Sequence, residues 1–249
     1  MRRSLITLTT AFALLATTAL AGGLGAMTDA ERTAFRDEVK QYLLENPEVL
    51  MEAMQVLQNR QDKTAADHDK QMLSDNADVI FKDPASWVGG NPDGNITVVE
   101  FMDYRCTYCR KSYSEVADLV KSDGNIRFVV KEYPILGDDS VASARFAIAV
   151  KLLHGDDAYA KVHDALITLR GAPDAETLAR LATTMGFDPK PVLAMMGDAK
   201  VTAIIADNHA LADKLNITGT PTFVIDQTML RGYVPEDGMR QIVAQERAS

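Results

Sequence analysis

The stretch from Val98 to Val116 constrains this chain more than any other. Val98-Val99-Glu100-Phe101-Met102 is a short run of β-branched and apolar residues, and Lys111 to Val116 has helical character. Between them lie the only two cysteines, Cys106 and Cys109, as a single C-x-x-C. A strand that turns into a helix at the first cysteine sets that sulfur at a helix N-terminus. Unpaired N–H groups and the positive end of the helix dipole stabilise a thiolate there. Cys106 therefore reads as the nucleophile, and Cys109, one turn later, as the thiol that resolves a mixed disulfide.

Two blander roles fit less well. A local bridge would close a tiny loop and stabilise little, because the gain grows with loop length. A zinc site would need more ligands, and there is no second C-x-x-C or C-x-x-H. His68, His154, His163 and His209 are scattered without ligand spacing. Neither a metal nor an organic cofactor is expected; the redox group is the cysteine pair itself.

Residues 1–21 carry Arg2-Arg3, an apolar stretch from Leu5 to Leu20, and Ala19-Leu20-Ala21, the three zones of a secretory signal. The apolar stretch, about 16 residues and Thr-rich, falls short of the roughly 20 that span a bilayer. Cleavage before Gly22 is expected, with no membrane span afterwards. A paired arginine also marks twin-arginine export, but its usual flanks are missing, so ordinary secretion is the reading. An oxidising periplasmic or secreted address suits a working thiol pair. Loss of Arg2 and Arg3 takes the formal charge from −9 to −11. That acidity argues against nucleic acid or an anionic membrane as partner.

Thr28-Asp29-Ala30-Glu31 is a capping box. The helix after it carries Phe35, Val39, Tyr42 and Leu43 at spacings of three and four. Asn46-Pro47 reads as a break, with Asn46 capping a second helix that bears Val49, Leu50, Ala53, Met54, Val56 and Leu57 before turning polar from Gln58 to Lys70. Residues 79–95 are dense in turn signals. Strands are expected over 96–103, 126–133, 221–226 and 229–234. Helices are expected over 142–153, 158–169, 174–185 and 201–215, with a C-terminal helix after Pro235.

The order strand, C-x-x-C helix, strand, helical block, paired strands, helix describes an α/β thioredoxin-like fold with an inserted helical domain at about 138–216. Here the chain resembles the DsbA-like thiol-disulfide oxidoreductases, over roughly 79–245. The matching residues are Val99 to Cys109, Lys131 in the next strand, and Gly219-Thr220-Pro221-Thr222-Phe223. Tyr42-Leu43-Leu44-Glu45-Asn46-Pro47-Glu48-Val49-Leu50 resembles the leading segment of a subgroup that includes the suppressor-of-copper-sensitivity C proteins, where it can assemble chains into oligomers. The division expected is a signal at 1–21, a helical oligomerisation segment at 22–75, and a catalytic domain at 76–249.

The resemblance implies more about the site. Pro221 would follow a cis bond opposite the cysteines, with the backbone at Thr220 pairing with an extended substrate. Glu100 would be a buried acid beneath the disulfide, partnered by Lys131, either relaying protons or forming a structural ion pair. Asp103 and Glu132 are expected to be exposed. Thr107 and Tyr108, between the cysteines, lack the His that strengthens the thiolate in strongly oxidising relatives, so a less oxidising couple is expected. Arg105 and Arg110 could restore part of that effect or remain solvated.

These readings converge on a thiol-disulfide oxidoreductase acting on unfolded or misoxidised proteins, most like a disulfide isomerase or reductase. A dithiol oxidase and a copper-handling thiol protein are the alternatives. The partners expected are protein substrates, a membrane redox partner and further copies of the chain as a dimer or trimer. The apolar stripe about Phe35, Leu43, Leu50 and Leu57 would form that contact, with Met51, Met54 and Met72 offering adaptable packing or copper(I) ligation.

Overall fold

The computed structural model describes residues 27–248, so the expected signal segment lies outside the described residues. These fall into two units, 27–60 and 61–248.

The first unit holds α1 (Asp29–Glu45) and the start of α2 (Glu48–Asp75). The capping box forms: the Glu31 N–H donates to Thr28 Oγ1 at 3.3 Å, and the Thr28 N–H donates to the Glu31 carboxylate at 2.8 Å. The Asn46 carbonyl accepts from the Val49 N–H at 3.2 Å at the start of α2, but its side chain does not cap that helix. The backbone and side-chain N–H groups of Asn46 both donate to the Tyr42 carbonyl, at 2.8 and 2.9 Å, so they close α1 instead. No residue of α1 is buried. Phe35, Tyr42, Leu50, Met54 and Leu57 are all exposed, because two helices alone cannot cover their own apolar sides.

The second unit begins within α2, fifteen residues before the boundary expected at 75/76. Two contacts explain the difference. Leu73 is buried in the core, and the Asp69 carboxylate accepts two hydrogen bonds from Arg231, at 2.5 and 2.9 Å. The polar stretch of α2 is thus continuous helix whose end packs on the sheet domain.

The sheet has the order β1-β3-β2-β4-β5, with β1 at Trp87–Gly90, β2 at Ile96–Met102, β3 at Ile126–Glu132, β4 at Thr222–Ile225 and β5 at Thr228–Arg231. Only β2 and β3 pair in parallel. They are joined by α4 (Thr107–Asp123), which closes on Gly124 at φ +71, a left-handed cap suited to glycine. Between β3 and β4 come α5 (Asp138–His154), α6 (Asp156–Thr168), α7 (Ala175–Thr184), α8 (Pro189–Met195) and α9 (Ala199–Lys214), where the helical insertion was expected. The short α3 (Ala77–Phe81) and β1 lie in the stretch read only as turns, since Gly89-Gly90 weakens the strand signal. The C-terminal α10 is Glu236–Ala248.

Strand period two sorts the core. Ile96, Val98 and Met102 join Phe128 and Val130 in one cluster with Cys106, Cys109, Val116 and Leu119. Val99, Phe101 and Val129 join Leu73, Ile80 and Leu211 on the other face. Helix α4 covers the first face.

Candidate active site

Cys106 is the N-cap of α4, with extended backbone at φ −71 and ψ 122, so Thr107, Tyr108 and Cys109 contribute the first helical N–H groups. The turn before it is held by Asp103. Its carboxylate accepts from the N–H groups of Arg105 at 2.7 Å, Ile135 at 2.8 Å and Leu136 at 3.1 Å. Asp103 is thus buried rather than exposed, and three backbone donors compensate its charge.

Both cysteines are unbridged, and Cys106 is the more accessible, at 7% against 1% for Cys109. Hydrogen bonding from Cys109 acts most strongly to lower the Cys106 thiol, to about 5. Burial opposes this, and the Thr220 side chain and the N–H groups of Cys109 and Tyr108 assist. Burial pushes the Cys109 thiol well above its ordinary value, and the neighbouring Cys106 sulfur and Glu100 add to the effect. One sulfur is thus a ready nucleophile and the other holds its proton. The Thr220–Pro221 bond is cis. The Thr220 carbonyl lies 3.1 Å from the Cys106 sulfur and accepts from it in the thiol form. The structure therefore brings Cys106, Cys109, Thr220 and Pro221 together. The flanking arginines turn elsewhere: Arg110 Nε donates to the Tyr104 carbonyl at 2.7 Å and Arg105 to the Gly171 carbonyl at 2.8 Å.

Glu100 lies beneath the pair, almost fully buried. Burial first, then the charges of Cys106 and Glu132, raise its carboxyl to about 8. The expected partnership with Lys131 does not form. In the parallel register Glu100 faces Val130, while Lys131 faces Phe101, so the two side chains leave opposite faces of the sheet. Lys131 Nζ instead meets Asp83 at 2.6 Å and the Val79 carbonyl at 2.9 Å. It is a structural ion pair on the far face.

The acid that shares Glu100's face is Glu132, buried against expectation. Tyr104 and Tyr159 donate to its Oε1 at 2.8 and 2.5 Å, and the Tyr104 hydroxyl lies 3.1 Å from His163 Nδ1. Burial dominates and lifts Glu132 to about 8, while the two hydroxyls act in the opposite direction. Its Oε2 has no partner among the described residues. Sequence reasoning missed this network. The period-two series Ile126, Phe128, Val130, Glu132 would have found it.

Residues 82–245 match the family described as thioredoxin, and residues 31–63 match that described as the copper resistance protein ScsC N-terminal domain. The chain belongs to the thioredoxin family. Among solved structures it is similar to a thioredoxin-like oxidoreductase from Silicibacter pomeroyi, at 39% identity and TM-score 0.65 over 69% of this chain and 98% of that one. It is also similar to ScsC of Proteus mirabilis in a transitional conformation, at 25% identity and TM-score 0.65 over 90% of this chain and 98% of that one. The thiol-disulfide exchange protein alpha-DsbA2 of Wolbachia pipientis matches at 25% identity and TM-score 0.68, over 74% and 98%. Among curated proteins, 140 residues are 29% identical to a Na(+)/H(+) antiporter NhaA 1 of Salinispora arenicola. That match covers 56% of this chain and 21% of that protein, so the chain spans about a fifth of the relative's length.

Proposed function

We propose that this thioredoxin-family chain is a periplasmic or secreted thiol-disulfide oxidoreductase of the DsbA and ScsC type. It would act on cysteines of unfolded or misoxidised proteins through the Cys106–Cys109 couple. The observation that carries this reading is the division of labour between the sulfurs: an ionised Cys106, the more accessible of the two, beside the Thr220 edge, and a more deeply buried, protonated Cys109. The Cys106 thiolate attacks one sulfur of a client disulfide, and the bond to the second sulfur breaks, releasing it as a thiolate. A thiolate of the client then displaces Cys106 and leaves a rearranged bridge. Otherwise, with Cys106 bonded to the client and its charge no longer raising Glu100, Cys109 passes its proton to the Glu100 carboxylate, attacks Cys106, and frees a reduced client.

The isomerase or reductase reading rests on the uncharged Thr107-Tyr108 pair, on a threonine at position 220, which resembles disulfide isomerases more than the strongest oxidases, and on the exposed apolar helices of residues 27–60, which would assemble copies about shared clients. The low Cys106 value favours a second reading. Each pH unit of thiolate stabilisation makes the couple about 30 mV more oxidising, which suits a dithiol oxidase recharged by a membrane redox partner. Equilibration with glutathione, alongside refolding of scrambled ribonuclease, tests both. Isomerase activity that requires reduced Cys106 and residues 27–60 supports the first; a strongly oxidising couple that oxidises reduced ribonuclease but does not unscramble it supports the second. Absence of thiol exchange in the intact protein refutes both.

A further inference from the structure

Under α4, away from the cysteines, a cavity of about 490 Å³ opens between the helix, the sheet and α6. Its volume lies within the range of small-molecule sites, roughly 300–1,000 Å³. Trp87, Phe128, Val116 and Val120 form much of its wall, and Glu100 lines it from the sheet. Glu100 is only 5% exposed, and what acts on its carboxyl is burial and the charges of Cys106 and Glu132, with no hydrogen bond among them. A carboxyl so placed in an apolar chamber lacks the partner that buried polar groups ordinarily have.

The other ionisable groups define the occupant. Asp164 of α6 lies at the cavity, accepting a 2.6 Å hydrogen bond from Tyr113 of α4. His163 is buried and held neutral, down to about 4, so its ring adds an aromatic wall without positive charge at neutral pH. It stacks against Trp87 at 6.3 Å with the rings 16° apart. Lys121, exposed on the last turn of α4, is the one cation among the lining residues. Two carboxyls and aromatic faces disfavour an anion. A neutral hydrocarbon would leave Glu100 unpaired.

We propose that this cavity binds a small organic ammonium: a body of about one aromatic ring packed on Trp87 and Phe128, with its nitrogen paired to Glu100. The bound cation holds Glu100 ionised. Because the Cys106 thiolate opposes that ionisation, and no cysteine lines the cavity, the cation binds the disulfide form, which lacks the thiolate, more tightly than the reduced protein. This redox linkage rests on the proposed exchange function; the binding itself does not.

The test is calorimetry of the full chain with 2-phenylethylamine, using 2-phenylethanol as the neutral control. Saturable one-to-one binding is expected, with a dissociation constant on the order of millimolar for so small a ligand. Affinity should rise between about pH 6 and pH 8 as Glu100 ionises. Glu100→Gln, which removes the charge at nearly constant shape, should weaken the amine at least about tenfold, and the alcohol should bind at least about tenfold more weakly than the amine. Ala117→Trp, at an exposed position on the cavity wall, should block the site while leaving thiol exchange intact. Equal affinity in Glu100→Gln, equal affinity for the alcohol, or no saturable binding overturns the site. Equal affinity in the reduced and oxidised proteins overturns the linkage. Insulin reduction measured without the amine reports on the exchange reading separately.

Discussion

Replacing Cys109 with alanine should raise the titration midpoint of Cys106 by about one pH unit or more. Cys106 stands at about 5 against an ordinary 9.0, a lowering of about four pH units. Four donors produce it: the Cys109 side chain, the Thr220 side chain, and the N–H groups of Cys109 and Tyr108. They also overcome burial, so together they supply more than four. The Cys109 side chain is the largest, hence more than a quarter of the total, which is about 1.4 kcal/mol of thiolate stabilisation. Thiolate ultraviolet absorbance of the reduced protein, followed from roughly pH 3 to 9, reads the midpoint directly. Serine at position 109 retains an O–H donor and should leave the midpoint within a few tenths of a unit of the starting value. If the alanine variant titrates with the parent, the backbone N–H groups and helix end carry the effect, and the reasoning from the side-chain donor is wrong.

Further outcomes follow from the same geometry. The folded Cys106 value lies below the unfolded one, so the reduced protein gains stability as pH rises from about 5 towards 9 and loses it as pH falls through about 5. Denaturant titrations should show reduced minus oxidised stability growing by at most about 1.4 kcal/mol per pH unit, less where solvent screens the sulfur. Glu132 has the opposite sign: its folded value of about 8 lies above the ordinary 4.5, so its ionisation costs stability progressively between those values. Glu132→Gln should flatten the decline in unfolding free energy across that window. Asp83→Ala strands the buried Lys131 cation and should cost about 3 kcal/mol in urea unfolding, while insulin reduction by the folded fraction stays unchanged. A large loss of rate there would show that Lys131 serves the cysteines after all. Removing residues 27–60 should lower the mass seen by light scattering to that of a single chain; an unchanged oligomer would place the contact elsewhere.

Much of the site was legible because it is local. Val98 to Cys109 and Gly219 to Phe223 specify strand, turn and helix start within a few residues, and the N-cap sulfur follows from that order. What failed was set by partners distant along the chain. Lys131 belongs beside Glu100 in a list of motif residues, yet a one-position difference in register sends it through the sheet to Asp83. Asp103 and Glu132 are charged and therefore read as exposed. Their burial depends on donors from residues 135–136 and on Tyr159, which lie 27 or more positions away.

Local chemistry determined that this chain would present an activated thiol at a helix start, because N–H groups and a capping sulfur are neighbours in sequence. Tertiary structure alone decided which acid lies below that thiol, which lysine does not, and which carboxyl is left facing a cavity. Sheet register and the helices laid over each face bring together groups separated by tens of residues, and only their burial turns a carboxylate into a proton-holding acid.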